Sequence, residues 1–181
     1  MKKYEFTEET VTQWYGGEEV ILHRIRALQN FKPTQMEGEV YAGDLGGFIE
    51  KEDNLSHEGN CWVDEEAQVM RNARITDNAY VCGNTLIFED AIISENAAAD
   101  DWAQVKGNVI LKGHSLVHGG SIISGFVTLS DNVDIQDAII STPQITASSP
   151  QFDAAALAES VFRSTISGKL SIRKGFEYSS D

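Results

Sequence analysis

An aliphatic residue returns every six positions through the middle of this chain, and that period excludes most folds. It falls on Val63, Val69, Ile75, Val81, Ile87, Ile93, Ala99, Val105, Leu111, Val117, Ile123, Leu129 and Ile135, with only Ala99 breaking the aliphatic rule. Four residues after each anchor comes a small or β-branched residue, beginning Ala67, Ala73, Ala79, Thr85 and ending Ser115, Ser121, Val127, Val133. The third position of each hexad is Gly, acidic, or Arg71, and the fourth is often Asn, as at Asn72, Asn78, Asn84, Asn96, Asn108 and Asn132. Gly and Asn tolerate turn conformations, including positive φ, that β-branched residues resist. Each hexad therefore reads as a short strand, a turn and the next strand, with the anchor and the small residue inside. Six is not a multiple of the helical period, and turn formers this frequent would cripple a helix. A hairpin needs two strands and a turn, more than six residues hold. What remains is a coil with several strands per turn, its rungs stacked roughly 4.8 Å apart.

The pattern of Val/Ile/Leu, then Gly/Asp/Glu-Asn, then Ala/Ser/Val resembles the hexapeptide repeat of left-handed β-helix proteins. That resemblance, rather than the spacing, implies three hexads per triangular coil and a left-handed winding, since parallel crossovers are otherwise right-handed. The expected fold is all-β: a single-stranded left-handed parallel β-helix of about five coils, with an N-terminal β cap and a C-terminal helix. Residues 1–54 would form the cap, 55–146 the β-helix, and 147–181 a helix and tail. Before the first clean hexad, the stretches Arg26-Ala27-Leu28 and Gly43-Asp44-Leu45-Gly46-Gly47-Phe48-Ile49-Glu50 are similar to the start of the YdcK-like hexapeptide proteins. Those form an uncharacterised bacterial and prophage group labelled acetyltransferases on the strength of the repeat. A cap is expected there because an open end coil would present unpaired strand edges. After Ile135 the pattern resumes one residue early. Ser149-Pro150 then carries a helix-start signal, Ser as N-cap and Pro at the first helical position, and KLSIRKGFEY reads as a short strand.

The charge balance narrows function. Lys and Arg total 14 against 28 Asp and Glu, a net charge of -14, and there is no basic run, which argues against nucleic acid as a partner. No stretch has the length of an apolar membrane span, and the N-terminus lacks the apolar core of a secretory signal. Two cysteines, Cys61 and Cys82, give neither a disulfide framework nor zinc-site spacing. The expectation is a cytoplasmic protein without a metal.

Several outward positions beside the anchors are apolar: Leu86, Phe88, Ile92, Ile110, Leu116 and Ile122. Their clustering in the middle coils suggests a contact surface, and the resemblance implies a homotrimer built on it. The resemblance also implies a site: hexapeptide acyltransferases use a histidine as general base, on a coenzyme A thioester held between subunits. Counting by 18 places His118 over Asp100, which would orient its imidazole. Trp102 occupies a turn position in the same hexad as Ala99, where it could stack a ligand ring. The ordinary alternative is a solvated Asp100–His118 pair with Trp102 at a subunit contact. The reading is thus an oligomeric scaffold or a protein binding a partner or small molecule, needing no cofactor. The alternative is a coenzyme A-dependent acyltransferase.

Overall fold

The computed structural model describes residues 2–142, 164–166 and 169–172. Every anchor from Val63 to Ile135 is fully buried, as are the small residues that follow them, apart from a trace of exposure at Val127. The anchors stack in three parallel ladders. On the first face, Leu45–Ile49, Gln68–Val69, Leu86–Ile87, Gln104–Leu111, Ile122–Leu129 and Ile139–Thr142 lie one above another. The second face stacks Arg74–Ile75, Ile92–Ile93 and the far halves of Gln104–Leu111 and Ile122–Leu129. The third stacks Trp62–Val63, Tyr80–Val81, Ala98–Ala99, Leu116–His118 and Asn132–Gln136. Val63 pairs with Val81, Val81 with Ala99, and Ala99 with Val117, so three hexads make each coil. The architecture is a parallel β-solenoid of about 5 turns.

Two coils depart from that interval. Phe48 pairs with Gln68 and Leu55 bridges Ile75, whereas Trp62 pairs with Tyr80, so the first coil holds two extra residues between Leu55 and Trp62. At the far end Ile122 pairs with Ile139, one residue short of the usual interval, which is the slip read after Ile135. Beyond it, Ser164–Ile166 and Lys169–Ile172 extend the second and third ladders. The strand read at KLSIRKGFEY is therefore present at Lys169–Ile172. The helix expected from Ser149-Pro150 lies outside the described residues.

The corners correct one expectation. Positive φ falls on the third hexad position and not on the Asn at the fourth: Glu65, Arg71, Asp77, Glu89, Glu95, Asp101 and Asp131 have φ between 53° and 62°. A non-glycine residue there costs about 1–2 kcal/mol, and its side chain offsets part of this. Tipped along the prism, the Glu65 carboxylate accepts the Gly83 N–H at 2.9 Å, and Glu95 accepts the Gly113 N–H at 2.9 Å. Asp77 likewise accepts from Glu95, and Asp101 from Gly119, both at 3.0 Å. The fourth-position Asn side chains bridge coils instead, as Asn78 Nδ2 does in donating to Asn96 Oδ1.

The N-terminal segment wraps this prism. Strands β1 (Tyr4–Tyr15) and β2 (Glu18–Ala27) form a hairpin, and β2 runs antiparallel to β3 (Leu45–Ile49), covering the lower edge of the first face. Gly16 and Gly17, both at positive φ, supply the two-residue turn such a hairpin requires. The inner side of the hairpin, with Val11, Tyr15, Val20 and Leu22, packs on outward residues Phe48, Met70, Leu86 and Phe88 in a second hydrophobic core. The connection from β2 to β3 covers the third face: Phe31 meets the buried Trp62 ring edge-on at 5.3 Å, and Thr34 Oγ1 donates to Asn96 Oδ1.

Inside the prism, Thr85 Oγ1 and Ser115 Oγ are buried with no hydrogen-bond partner among the described residues. An unmet buried hydroxyl costs about 1–3 kcal/mol. Thr85→Val keeps the shape and removes the hydroxyl, so its melting temperature should rise by roughly 2–4 °C per kcal/mol regained. A fall in a thermal melt would show that Thr85 has a partner.

Candidate functional site

The edge between the third and first faces carries the chemistry read around His118. Strand Leu116–His118 lies between Ala98–Ala99 and Asn132–Gln136, so His118 follows its anchor and points outward. Its Nε2 lies 2.9 Å from Asp134 Oδ1 and its Nδ1 3.8 Å from Asp101 Oδ2. An ionised carboxylate only accepts, so Nε2–H donates to Asp134 and Nδ1 is left beyond hydrogen-bond reach of Asp101. The imidazole side chain is 22% exposed, with Nε2 anchored and Nδ1 turned toward Asp101.

Asp100 is not the residue that orients His118. The two do stack, with the Asp100 N–H donating to the Val117 carbonyl, but the Asp100 carboxylate accepts from the Asp101 N–H at 2.5 Å and from the Cys82 thiol. The reason is backbone geometry. Asp101 sits at positive φ and tips its carboxylate upward to the Gly119 N–H, whereas the Asp100 carboxylate turns to the Asp101 N–H and to Cys82 in the coil below. The signal was present in the sequence as an acid eighteen residues before a glycine: Glu65 and Gly83, Glu95 and Gly113, Asp101 and Gly119. Asp134 had no such signal, because its partner lies sixteen residues away and diagonally across the ladder.

Trp102 stands beside this pair, 65% exposed, its backbone N–H donating to the Gly119 carbonyl at 3.1 Å. Below, the Tyr80 hydroxyl donates to Asp64 Oδ2 at 2.9 Å, and burial pushes the hydroxyl above the usual phenol range. Burial, then the Asp100 carboxylate, push the Cys82 thiol up in the same way. Two surface depressions lie away from His118. One, of about 440 Å³, is lined by Glu5, Phe6, Thr7, Glu8 and Arg26, and the other, of about 210 Å³, by Asn108, Ile110, Phe126 and Thr128. Among the described residues no group of three His, Cys, Asp or Glu could hold a metal ion.

The six apolar residues read as one contact surface do not form one. Leu86, Phe88 and Ile122 belong to the first face, Ile92 and Ile110 to the second, and Leu116 to the third. Phe88 is only 7% exposed because the hairpin covers it, and Leu86 packs against the same cluster. A further cluster at the base escaped the sequence reading. Lys3 is fully buried, its Nζ donating to Cys61 Sγ at 3.1 Å and lying 5.4 Å from the centre of the Phe31 ring. Burial lowers the Lys3 ammonium from the usual lysine range, and burial raises the Cys61 thiol. His57 stacks on Tyr4, and its Nδ1 accepts the Lys3 backbone N–H.

Part of this chain is similar to a bacterial protein named for acetyl transfer. A stretch of 73 residues is 33% identical to the "Uncharacterized acetyltransferase YdcK" of Escherichia coli (strain K12). The match takes in 38% of this chain and 21% of that protein, so the chain spans about a fifth of its relative's length. No family model matches the chain. The similarity and the parallel solenoid agree with a hexapeptide-repeat β-helix protein. Among the described residues no helix is long and apolar enough to cross a membrane.

Both thiols are buried and held protonated, and alkylation requires the thiolate. Iodoacetamide at mildly alkaline pH should therefore leave Cys61 and Cys82 unmodified in the folded protein and label both in denaturant, as read by intact mass. Rapid labelling of either in the native state would contradict the packing described.

Proposed function

We propose that the protein is a homotrimeric solenoid scaffold that offers binding surfaces to a small molecule or protein partner and performs no reaction of its own. The observation that best supports this is the openness of the His118 edge. Between Val63 and Gln136 the described chain turns each corner within its hexads and extrudes no loop. Acyl transfer between a thioester and an acceptor needs the two held together and shielded from water, and an open edge supplies neither within one subunit.

A second reading, coenzyme A-dependent acyl transfer, is favoured by the His118–Asp134 hydrogen bond and by the name of the partly similar E. coli protein. In it His118 Nδ1 takes the proton from an acceptor hydroxyl or amine, Asp134 holds the ring, and Trp102 offers a stacking plane. A neighbouring subunit closes the edge. The thioester is a substrate in this reading, and no residue is assigned to holding it.

Calorimetry with acetyl-coenzyme A separates the two. The scaffold reading expects no heat of binding and no release of free coenzyme A in the presence of amine or hydroxyl acceptors. Micromolar binding, with turnover that His118→Ala lowers by about 10²–10⁴-fold while the melting temperature holds, would replace the first reading with the second.

A further inference from the structure

Strands Gln104–Leu111 and Ile122–Leu129 differ from the rungs beneath them. Each runs 8 residues without interruption through the edge between the first and second faces. Lower coils turn sharply there at Arg71 and Glu89, both at positive φ. Gly107 and Gly125, with φ of 84° and 93°, bend the chain gently enough for the two strands to pair along their whole length. A Cβ on Gly107 would stand 2.8 Å from the Gly125 carbonyl oxygen, so the close pairing needs glycine. Two faces thereby merge into one broad sheet.

That sheet is chemically unlike the rest of the surface. Neither strand contains an Asp or Glu, in a chain that has 28. Its one charge is Lys106, and Lys112 follows immediately. Outward it presents Ile110, Ile122 and Phe126, the last 41% exposed, with Ile139 above Ile122 at 74%. The hairpin does not cover this region. It reaches Phe88, over whose ring Lys106 Nζ sits at 5.7 Å from the centre.

The hairpin carries the complementary chemistry. Strands β1 and β2 hold five glutamates against two arginines. Arg24 pairs with Glu9 and Glu66, Arg26 with Glu5, and Glu18 with Arg71 of the prism, so the complementary charge rests on Glu8 and Glu19. On the outer side Trp14 stands opposite Glu19, and Thr12 opposite Ile21. Trp14 is 74% exposed and Ile21 51%. The inner side is committed to the chain's own prism, so this outer side faces away from it and cannot reach the same chain's acid-free sheet. Another copy's sheet can receive it.

We infer that copies of this chain dock head to tail, the outer side of one hairpin (Trp14, Ile21, Glu19) seating on the acid-free sheet of the next (Ile110, Phe126, Ile139). Lys106 and Lys112 lie at the rim toward the neighbour's glutamates. Such a contact uses two different patches, so it closes into a ring when the rotation between neighbours divides a full turn. This rests on the self-association proposed above and names the surfaces that carry it.

Light scattering on the full chain at micromolar concentration tests the contact. The wild type should show three times 19.9 kDa, and Trp14→Glu and Phe126→Glu should each fall to 19.9 kDa. Both side chains are exposed, so the melting temperatures should hold, which separates lost docking from lost folding. Mixing the two variants is decisive: one intact hairpin and one intact sheet remain, and a complex of twice 19.9 kDa should form at high concentration. A monomeric wild type overturns both the self-association and this contact. An oligomer that survives either substitution, or variants that do not combine, overturns the contact alone and leaves the scaffold reading standing.

Discussion

Stacking in register is the constraint from which the other features follow. In a parallel ladder successive residues hydrogen-bond alternately to the backbone above and below, and each side chain lies on that of the coil beneath. An aliphatic anchor is dry only if its neighbours at the same height in the next coil are aliphatic too. Thirteen anchors satisfy this, Ala99 included, because Val81 and Val117 close over it. A one-residue error would turn every later anchor toward water. The chain tolerates its single deletion near Asp137 because that lies beyond the last anchor of the regular series, where Gly119-Gly120 leaves room for the Asp137 carboxylate to bond the Gly120 N–H.

The corners turn a backbone problem into a pattern of charge. Turning through about a third of a circle every six residues forces positive φ at the third position. At Glu65, Asp77, Glu95 and Asp101 the acidic side chain there caps the N–H one coil up. Part of the net charge of -14 therefore belongs to the architecture and not to a ligand. The acid-free sheet is the counterpart: where glycine takes over the bend at Gly107 and Gly125, the acids disappear.

How far the candidate site was legible depends on direction. Counting by eighteen put His118 over Asp100, and the backbone pairing preserves that interval. It could not tell which carboxylate would lean toward the imidazole. That depended on the φ of Asp101 and on a diagonal to Asp134, and neither is a property of spacing. The apolar residues outside the prism failed for a related reason. Leu86 and Phe88 look exposed to any count confined to the repeat, because their cover comes from Val11, Tyr15, Val20 and Leu22, some seventy residues earlier in the chain. Lys3 escaped notice in the same way, as a lysine next to the N-terminus that becomes buried against Cys61 and Phe31.

Periodicity by itself determined that this chain winds into stacked parallel rungs, which of the repeat's side chains face inward, and that the winding slips after Ile135. Those follow from local geometry repeated at a constant interval, and the interval is written in the residues. Tertiary structure alone decided that the N-terminal segment folds back over two faces, that a glycine-bent edge makes one sheet of two, and that His118 answers to Asp134 instead of Asp100. Each of these depends on segments far apart in the chain meeting at an angle, and no repeat length encodes an angle.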